Sequence, residues 1–225
     1  MSFNTVTDWL SLNSNLLLGA TWETLYMVAV AGVVGFAVGI PLGVILHTTK
    51  KGGLLENTRL NSVLGAIVNV GRSVPFLVLM VAIIPLTKIL IGTFIGTTAA
   101  IVPLTVGAIP FVARLIEGAL LEVPTGLVEA AQSMGATPYQ IITKVLLPEA
   151  LPTIVNSVTI TLVTLVSYSA MAGTVGGGGL GDVAIRYGFH RYDVTIMAVT
   201  VVMLIVLVQI IQSIGDAVVR RVDHR

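Results

Sequence analysis

Residues 121–148 read LEVPTGLVEAAQSMGATPYQIITKVLLP, and their polarity sets the layout of the whole chain. The stretch is too polar to cross a bilayer, yet it lies between two charge-free runs, residues 89–113 and 150–181. Its helical pattern is broken by punctuation. Pro124 opens a turn, Gly135 interrupts, Pro138 can occupy the first turn of a new helix, and Pro148 and Pro152 bracket entry to the next apolar run. The pattern predicts two short helices joined by a tight turn at Gly135, where glycine admits a positive φ and close approach of another surface.

The flanking sequence is that of a membrane protein. A helix rises about 1.5 Å per residue, so about 20 apolar residues cross the hydrocarbon core. Residues 24–46, 89–113, 150–181 and 194–215 contain no Asp, Glu, Lys or Arg, and residues 60–87 contain only Arg72. These runs predict five transmembrane helices, at about 18–47, 61–90, 95–120, 150–173 and 194–220, in a single all-α integral membrane domain with a loop at about 121–148. The fourth run exceeds a simple span. Its glycines, Gly173, Gly176, Gly177, Gly178, Gly179 and Gly181, predict departure from the helix near Gly173.

Composition agrees. Only 10% of residues are charged and 55% are hydrophobic, with a mean hydropathy of +0.98, whereas a soluble domain carries about 25% charge. A net charge of +1 provides no basic field for nucleic acid. Cysteine is absent, and His47, His190 and His224 have no metal-ligand spacing. The first basic residue is Lys50, so the N-terminus lacks the basic region of a cleavable leader.

Positive charge predicts orientation. Lys50, Lys51 and Arg59 follow the first span, Arg114 and Lys144 flank the polar loop, and Arg220, Arg221 and Arg225 close the chain. The opposite side holds Lys88, Arg186 and Arg191. The N-terminus is expected outside and the C-terminus in the cytoplasm, as an odd span count requires.

Within the loop, Glu129-Ala130-Ala131, then Gly135, then Val145-Leu146-Leu147-Pro148 resembles the EAA loop of permease subunits of bacterial ABC importers, with valine at the commoner isoleucine position. The resemblance implies a type I ABC importer permease fold. It also implies a coupling helix that docks in a separate ATP-hydrolysing subunit through Glu129, Ala130, Ala131, Gly135, Ala136 and Pro138. Small side chains would keep the docking surface low, and Glu129 would pair with a basic residue or cap a helix. Lys50, Lys51, Lys88 and Lys144 follow Thr49, Lys50, Thr87 and Thr143. None follows glycine as a Walker A lysine must. The expectation is therefore no cofactor and no enzymatic activity in this chain, with ATP and Mg on the partner.

Further runs resemble methionine importer permeases. They are Ala99 to Gly107, Leu121 to Gly126, Met134 to Pro138, Lys144 to Pro152 and Ser167 to Gly173 with the glycines beyond. This likeness implies a second copy of the chain, two cytoplasmic ATP-binding subunits and an extracytoplasmic methionine-binding protein. It implies import of L- and D-methionine across the bacterial inner membrane by alternating access. Gly32, Gly35, Gly39 and Gly43 give the first helix a face for close backbone approach, compatible with pairing of two chains around one path.

Ser167, Tyr168, Ser169 and Met171 stand near the expected outer end of the fourth span and are candidates for the path or its gate. Tyr168 and Met171, three apart, share a face, and a thioether suits an adaptable apolar surface. The alternative is packing for Met171 and interfacial anchoring for Tyr168. Arg72 either lines the path or snorkels to the inner interface. Gly178, Asp182, Arg186 and Arg191 either dock the binding protein or belong to a solvated loop. Two competing functions stay open on the residues. One is an ABC permease for another small amino acid or organosulfur nutrient. The other is an ion-coupled secondary transporter, which would show repeats or mid-membrane charges.

Overall fold

Every element described in the computed structural model is helical; it covers residues 3–222, with side chains from residue 13. Arg225, counted above among the inner charges, lies outside the described residues.

Helix α1 (Phe3–Thr49) is 47 residues long. Its hydroxyls return their hydrogens to the preceding turn, as Thr21 to the Leu17 carbonyl at 2.8 Å, Thr24 to Ala20 at 3.0 Å and Thr48 to Val44 at 2.9 Å, so these polar atoms need no water. From residue 13 to 49 it carries one charge, Glu23.

The expected second helix, 61–90, is interrupted. It forms α2 (Thr58–Ser73), α3 (Phe76–Ala82) and α4 (Ile84–Ile91). Val74 is extended, with φ −83° and ψ 123°, because a residue before proline is pushed out of the helical region. Pro75 therefore breaks the helix instead of kinking it. Asn57 caps α2 by accepting the Leu60 N–H at 3.1 Å, and Gly92, at φ 85°, ends α4.

Then come α5 (Thr97–Leu121), α6 (Thr125–Ser133), α7 (Pro138–Ile141), a π-helical turn at Ile142–Leu146, and α8 (Leu147–Glu149). The wide turn stands just before Pro148, whose ring excludes an ordinary i−4 bond to Lys144. After α9 (Leu151–Gly173), the glycine run leads to α10 (Gly179–Val183) and a second π-helical turn, Ala184–Phe189. Asp193 Oδ1 accepts the Thr195 and Ile196 N–H groups at 3.0 Å each and opens α11 (Val194–Val222).

Among the described residues, four helices are long and apolar enough to cross a membrane: Asn13–Thr49, Thr97–Leu121, Leu151–Gly173 and Val194–Val222. The broken pair α2 and α3 makes a fifth span if counted as one.

The chain divides into two compact units, both drawing on α1, α5, α9 and α11. One comprises Met1–Ala31, Phe76–Leu104 and Thr164–Gln209. Its core includes Leu17, Ala20, Leu180, Val183 and Ile196. The other comprises Gly32–Pro75, Thr105–Val163 and Ile210–Arg225. There Phe36, Ile40 and Val44 of α1 pack on a core including Val112, Ile116, Leu120, Ala131, Ile141 and Leu146. Gly39 and Gly43 make that packing possible. A Cβ on Gly39 would stand 2.7 Å from the Val112 side chain, and one on Gly43 would stand 2.6 Å from the Ala113 carbonyl oxygen. This part of the glycine face of α1 serves close packing on α5 of the same chain. Asn61 ties α2 to the end of α1 by donating to the Leu46 carbonyl at 2.7 Å.

Candidate functional site

The loop surface is built by two capping devices. At the end of α6, Gly135 adopts φ 78°. The Ala136 N–H then reaches the Ala131 carbonyl at 3.1 Å and the Gly135 N–H reaches Gln132 at 2.9 Å, the paired bonds of a Schellman termination. A Cβ at Gly135 would meet nothing within 4 Å, so within this chain the conformation, not space, demands glycine. Two residues on, Thr137 and Gln140 form a capping box at 2.9 and 3.3 Å, with Pro138 in the first turn of α7.

Burial sorts the loop residues. Ala131 is 5% exposed and belongs to the core with Ile116 and Leu120, so it anchors α6 to its own chain and is not on the exposed face of the loop. Glu129, Ala130, Gly135 and Pro138 are exposed and Ala136 is half-buried. The surface also carries Leu127, Met134 and Tyr139, the last two 81% and 75% exposed. The sequence reading missed these three. Their signal was three large apolar side chains in a segment too polar to span. Beside α6 lies a cavity of about 220 Å³ lined by His47, Lys50, Leu54, Val128, Glu129 and Gln132, among others.

The candidate path residues on α9 separate. Ser169 is 2% exposed and donates to the Val166 carbonyl of its own helix at 2.7 Å, so it faces packing and no open space. Tyr168 stacks on Phe76, the first residue after the Pro75 break, with ring centroids 4.3 Å apart and planes 4° apart. Ser167 and Met171 line an open, apolar groove of about 590 Å³ with Leu204, Ile205 and Val208 of α11. Met171 thus groups with Ser167, one helical turn away, and not with Tyr168, whose ring is taken up by Phe76. Arg72 is exposed in the last turn of α2, and it belongs to the other compact unit.

The glycine run is packed against α1. Gly178 and Gly179 adopt φ 79° and 77°. The Gly179 N–H donates to Glu23 Oε2 at 2.7 Å and the Leu180 N–H to Thr24 Oγ1 at 2.9 Å. A Cβ on Gly178 would stand 2.7 Å from that carboxylate and 2.8 Å from Thr97 Oγ1. Gly178 is therefore turned onto α1 and α5. Asp182 pairs with Arg186 at 2.8 Å, and the Arg191 guanidinium lies 4.6 Å from the Tyr187 ring centre. Phe189 and Tyr192 stand beside them, 60% and 86% exposed. Sequence reading did not single out Glu23, although it falls within the expected first span, 18–47, one residue before the charge-free run 24–46. In the structure it lies on the helix Asn13–Thr49, which is long and apolar enough to cross a membrane.

Comparison with known proteins accounts for this arrangement. The family model described as "Binding-protein-dependent transport system inner membrane component" matches residues 39–224. A Vibrio cholerae protein named "Probable D-methionine transport system permease protein MetI" is 87% identical over 225 residues, all of both chains. A Pasteurella multocida protein of the same name is 52% identical over 206 residues, 92% of this chain and 95% of that one. Among solved structures, a chain of an inward-facing "MetNI methionine ABC transporter" superposes with a TM-score of 0.93 at 52% identity, covering 100% of both chains. A chain of an amino acid ABC transporter shares the fold at a TM-score of 0.80 and 19% identity over 98% of this chain. The chain belongs to the family of binding-protein-dependent transport system inner membrane components.

Proposed function

We infer that this chain is the permease subunit of an ABC importer for methionine, in its D and L forms. The observation that carries this reading is identity of 87% over the full length of a relative named as a D-methionine permease. ATP and Mg belong to a separate ATPase subunit, and the chain supplies the membrane path. Two copies of the chain, two ATPase subunits and an extracytoplasmic methionine-binding protein complete the working assembly. The N-terminus lies outside and the C-terminus in the cytoplasm, in keeping with the basic residues at Lys50, Lys51, Arg59, Arg220 and Arg221.

In this reading Glu129, Ala130, Gly135, Ala136 and Pro138, with Leu127, Met134 and Tyr139, form the surface that meets the ATPase. Ala131 holds that surface to the helix bundle. Two caps and a packed Ala131 make the loop stiff, so displacement of the ATPase is passed on as movement of whole helices. Ser167, Tyr168 and Met171 border the path near one end of α9, and Ser169 supports them from behind. Arg72, exposed in the last turn of α2, is the remaining candidate for the path. Asp182, Arg186 and Arg191, on the loop held by Gly178, receive the binding protein.

Uptake of labelled D-methionine by cells with and without the chain, with excess unlabelled amino acids as competitors, tests the assignment. Chain-dependent uptake blocked chiefly by methionine is expected. Uptake blocked equally by unrelated amino acids, or none with the ATPase subunit verified as present, would remove methionine as the cargo.

A further inference from the structure

We propose that Glu23 is a positioning residue for transport, acting with Thr24 as a latch that holds the glycine run and, through it, the end of α9. The proposal rests on the reading above that the end of α9 borders the path.

A carboxylate within a membrane span is costly unless it is paired or wet. Among the described residues no ion pair reaches Glu23. It accepts the Gly179 N–H at 2.7 Å instead. Thr24, 1% exposed, donates to the Ala20 carbonyl at 3.0 Å and accepts the Leu180 N–H at 2.9 Å. Two successive residues of α1 thus take two successive backbone donors from a segment 156 positions away. The donors are free to do so because Gly178 and Gly179 both adopt positive φ.

The hold continues into α9. Leu180 is fully buried and packs with Leu17 and Ala20. Gly181 lies directly on the Ala170 backbone, and Gly173 on the Asp182 amide. Ala170 stands between Ser169 and Met171, so the contact chain runs from Glu23 through Gly179 and Gly181 to the residues that border the path. A rearrangement that moves the end of α9 together with the glycine run away from α1 must release the Gly179 N–H from Glu23 and the Leu180 N–H from Thr24.

The test compares Glu23→Ala, Glu23→Gln and Thr24→Val in the complete transporter, reading D-methionine uptake in cells and ATP hydrolysis without binding protein in the purified complex. A charge-assisted hydrogen bond governs about a tenfold change in an equilibrium. Glu23→Ala is therefore expected to lower uptake about tenfold while unstimulated ATP hydrolysis rises. Glu23→Gln keeps an acceptor for the Gly179 N–H and should recover uptake to within about threefold of the unmodified chain. A loss of packing alone would lower both activities together. Uptake and hydrolysis within about twofold of normal in Glu23→Ala, or Glu23→Gln as impaired as Glu23→Ala, would overturn the latch. Should Glu23→Ala fail to reach the membrane, Thr24→Val takes its place with the same two outcomes, since it keeps volume and loses the acceptor. Met171→Ala is measured alongside. If it too leaves uptake and hydrolysis unchanged, the failure lies with the assignment of the path; if it changes either while Glu23→Ala does not, only the latch falls.

Discussion

The rings of Phe76 and Tyr168 lie parallel, 4.3 Å between centres and 4° between planes. Phe76 is 6% exposed and opens α3 immediately after the Pro75 break. The stack therefore joins a point where one helix is interrupted to the part of α9 proposed to border the path. An aromatic pair contributes about 0.5–1.5 kcal/mol beyond its buried area, enough to bias a two-state rearrangement severalfold.

Tyr168→Phe keeps the ring and should leave uptake within about twofold. Phe76→Ala removes the stack and opens a cavity, costing about 3–5 kcal/mol if nothing collapses into it. Loss of uptake in Phe76→Ala with normal membrane insertion is the expected result. Equal loss in Tyr168→Phe would mean that the hydroxyl, not the stack, matters.

At Gly135 the demand is conformational. A side chain there meets no atom of this chain, but φ 78° costs an ordinary residue about 1–2 kcal/mol. Gly135→Ala should weaken retention of the ATPase subunit in co-purification, and Gly135→Asn, which tolerates the left-handed region, should be milder. If alanine retains as much ATPase as glycine, the turn is not part of the coupling surface.

Met134 and Tyr139 are 81% and 75% exposed, so replacing both with serine should change the stability of the permease by no more than about 0.5 kcal/mol. Buried against a partner, such side chains carry much of the binding energy. The double variant should insert normally and lose most bound ATPase. Full retention would move the docking surface elsewhere on the loop.

Gly43 tests the packing of α1 on α5. Gly43→Val would force side-chain atoms onto the Ala113 carbonyl and Ile116, and overpacking of this kind costs about 1–3 kcal/mol or more. Poor accumulation is expected. Gly65→Ala, where a Cβ meets nothing within 4 Å, is the control and should accumulate normally.

Arg186 and Arg191 address docking. The Asp182–Arg186 pair is exposed on its arginine side, so its loss costs the fold about 0–1 kcal/mol. Arg186→Gln with Arg191→Gln should leave accumulation unchanged and raise the binding-protein concentration needed for half-maximal uptake. An unaltered concentration dependence would return both residues to a solvated loop.

Much of this molecule was legible in the chain because bilayers impose a one-dimensional rule. A charge-free run of about 20 residues can be satisfied only as a spanning helix, and Thr97–Leu121, Leu151–Gly173 and Val194–Val222 stand within two residues of their expected bounds. Local chemistry was equally readable at Gly135 and Pro138, since φ preference and a missing N–H act over a single turn. The tertiary structure alone decided the rest. That Pro75 breaks its helix instead of bending it, that Ala131 faces inward beside the exposed Ala130, and that Ser169 turns away while Tyr168 finds Phe76 all depend on neighbours distant in sequence. Glu23 is the clearest instance. As one letter within the expected first span it carries no sign of a partner, and only the fold brings it a backbone donor 156 residues away.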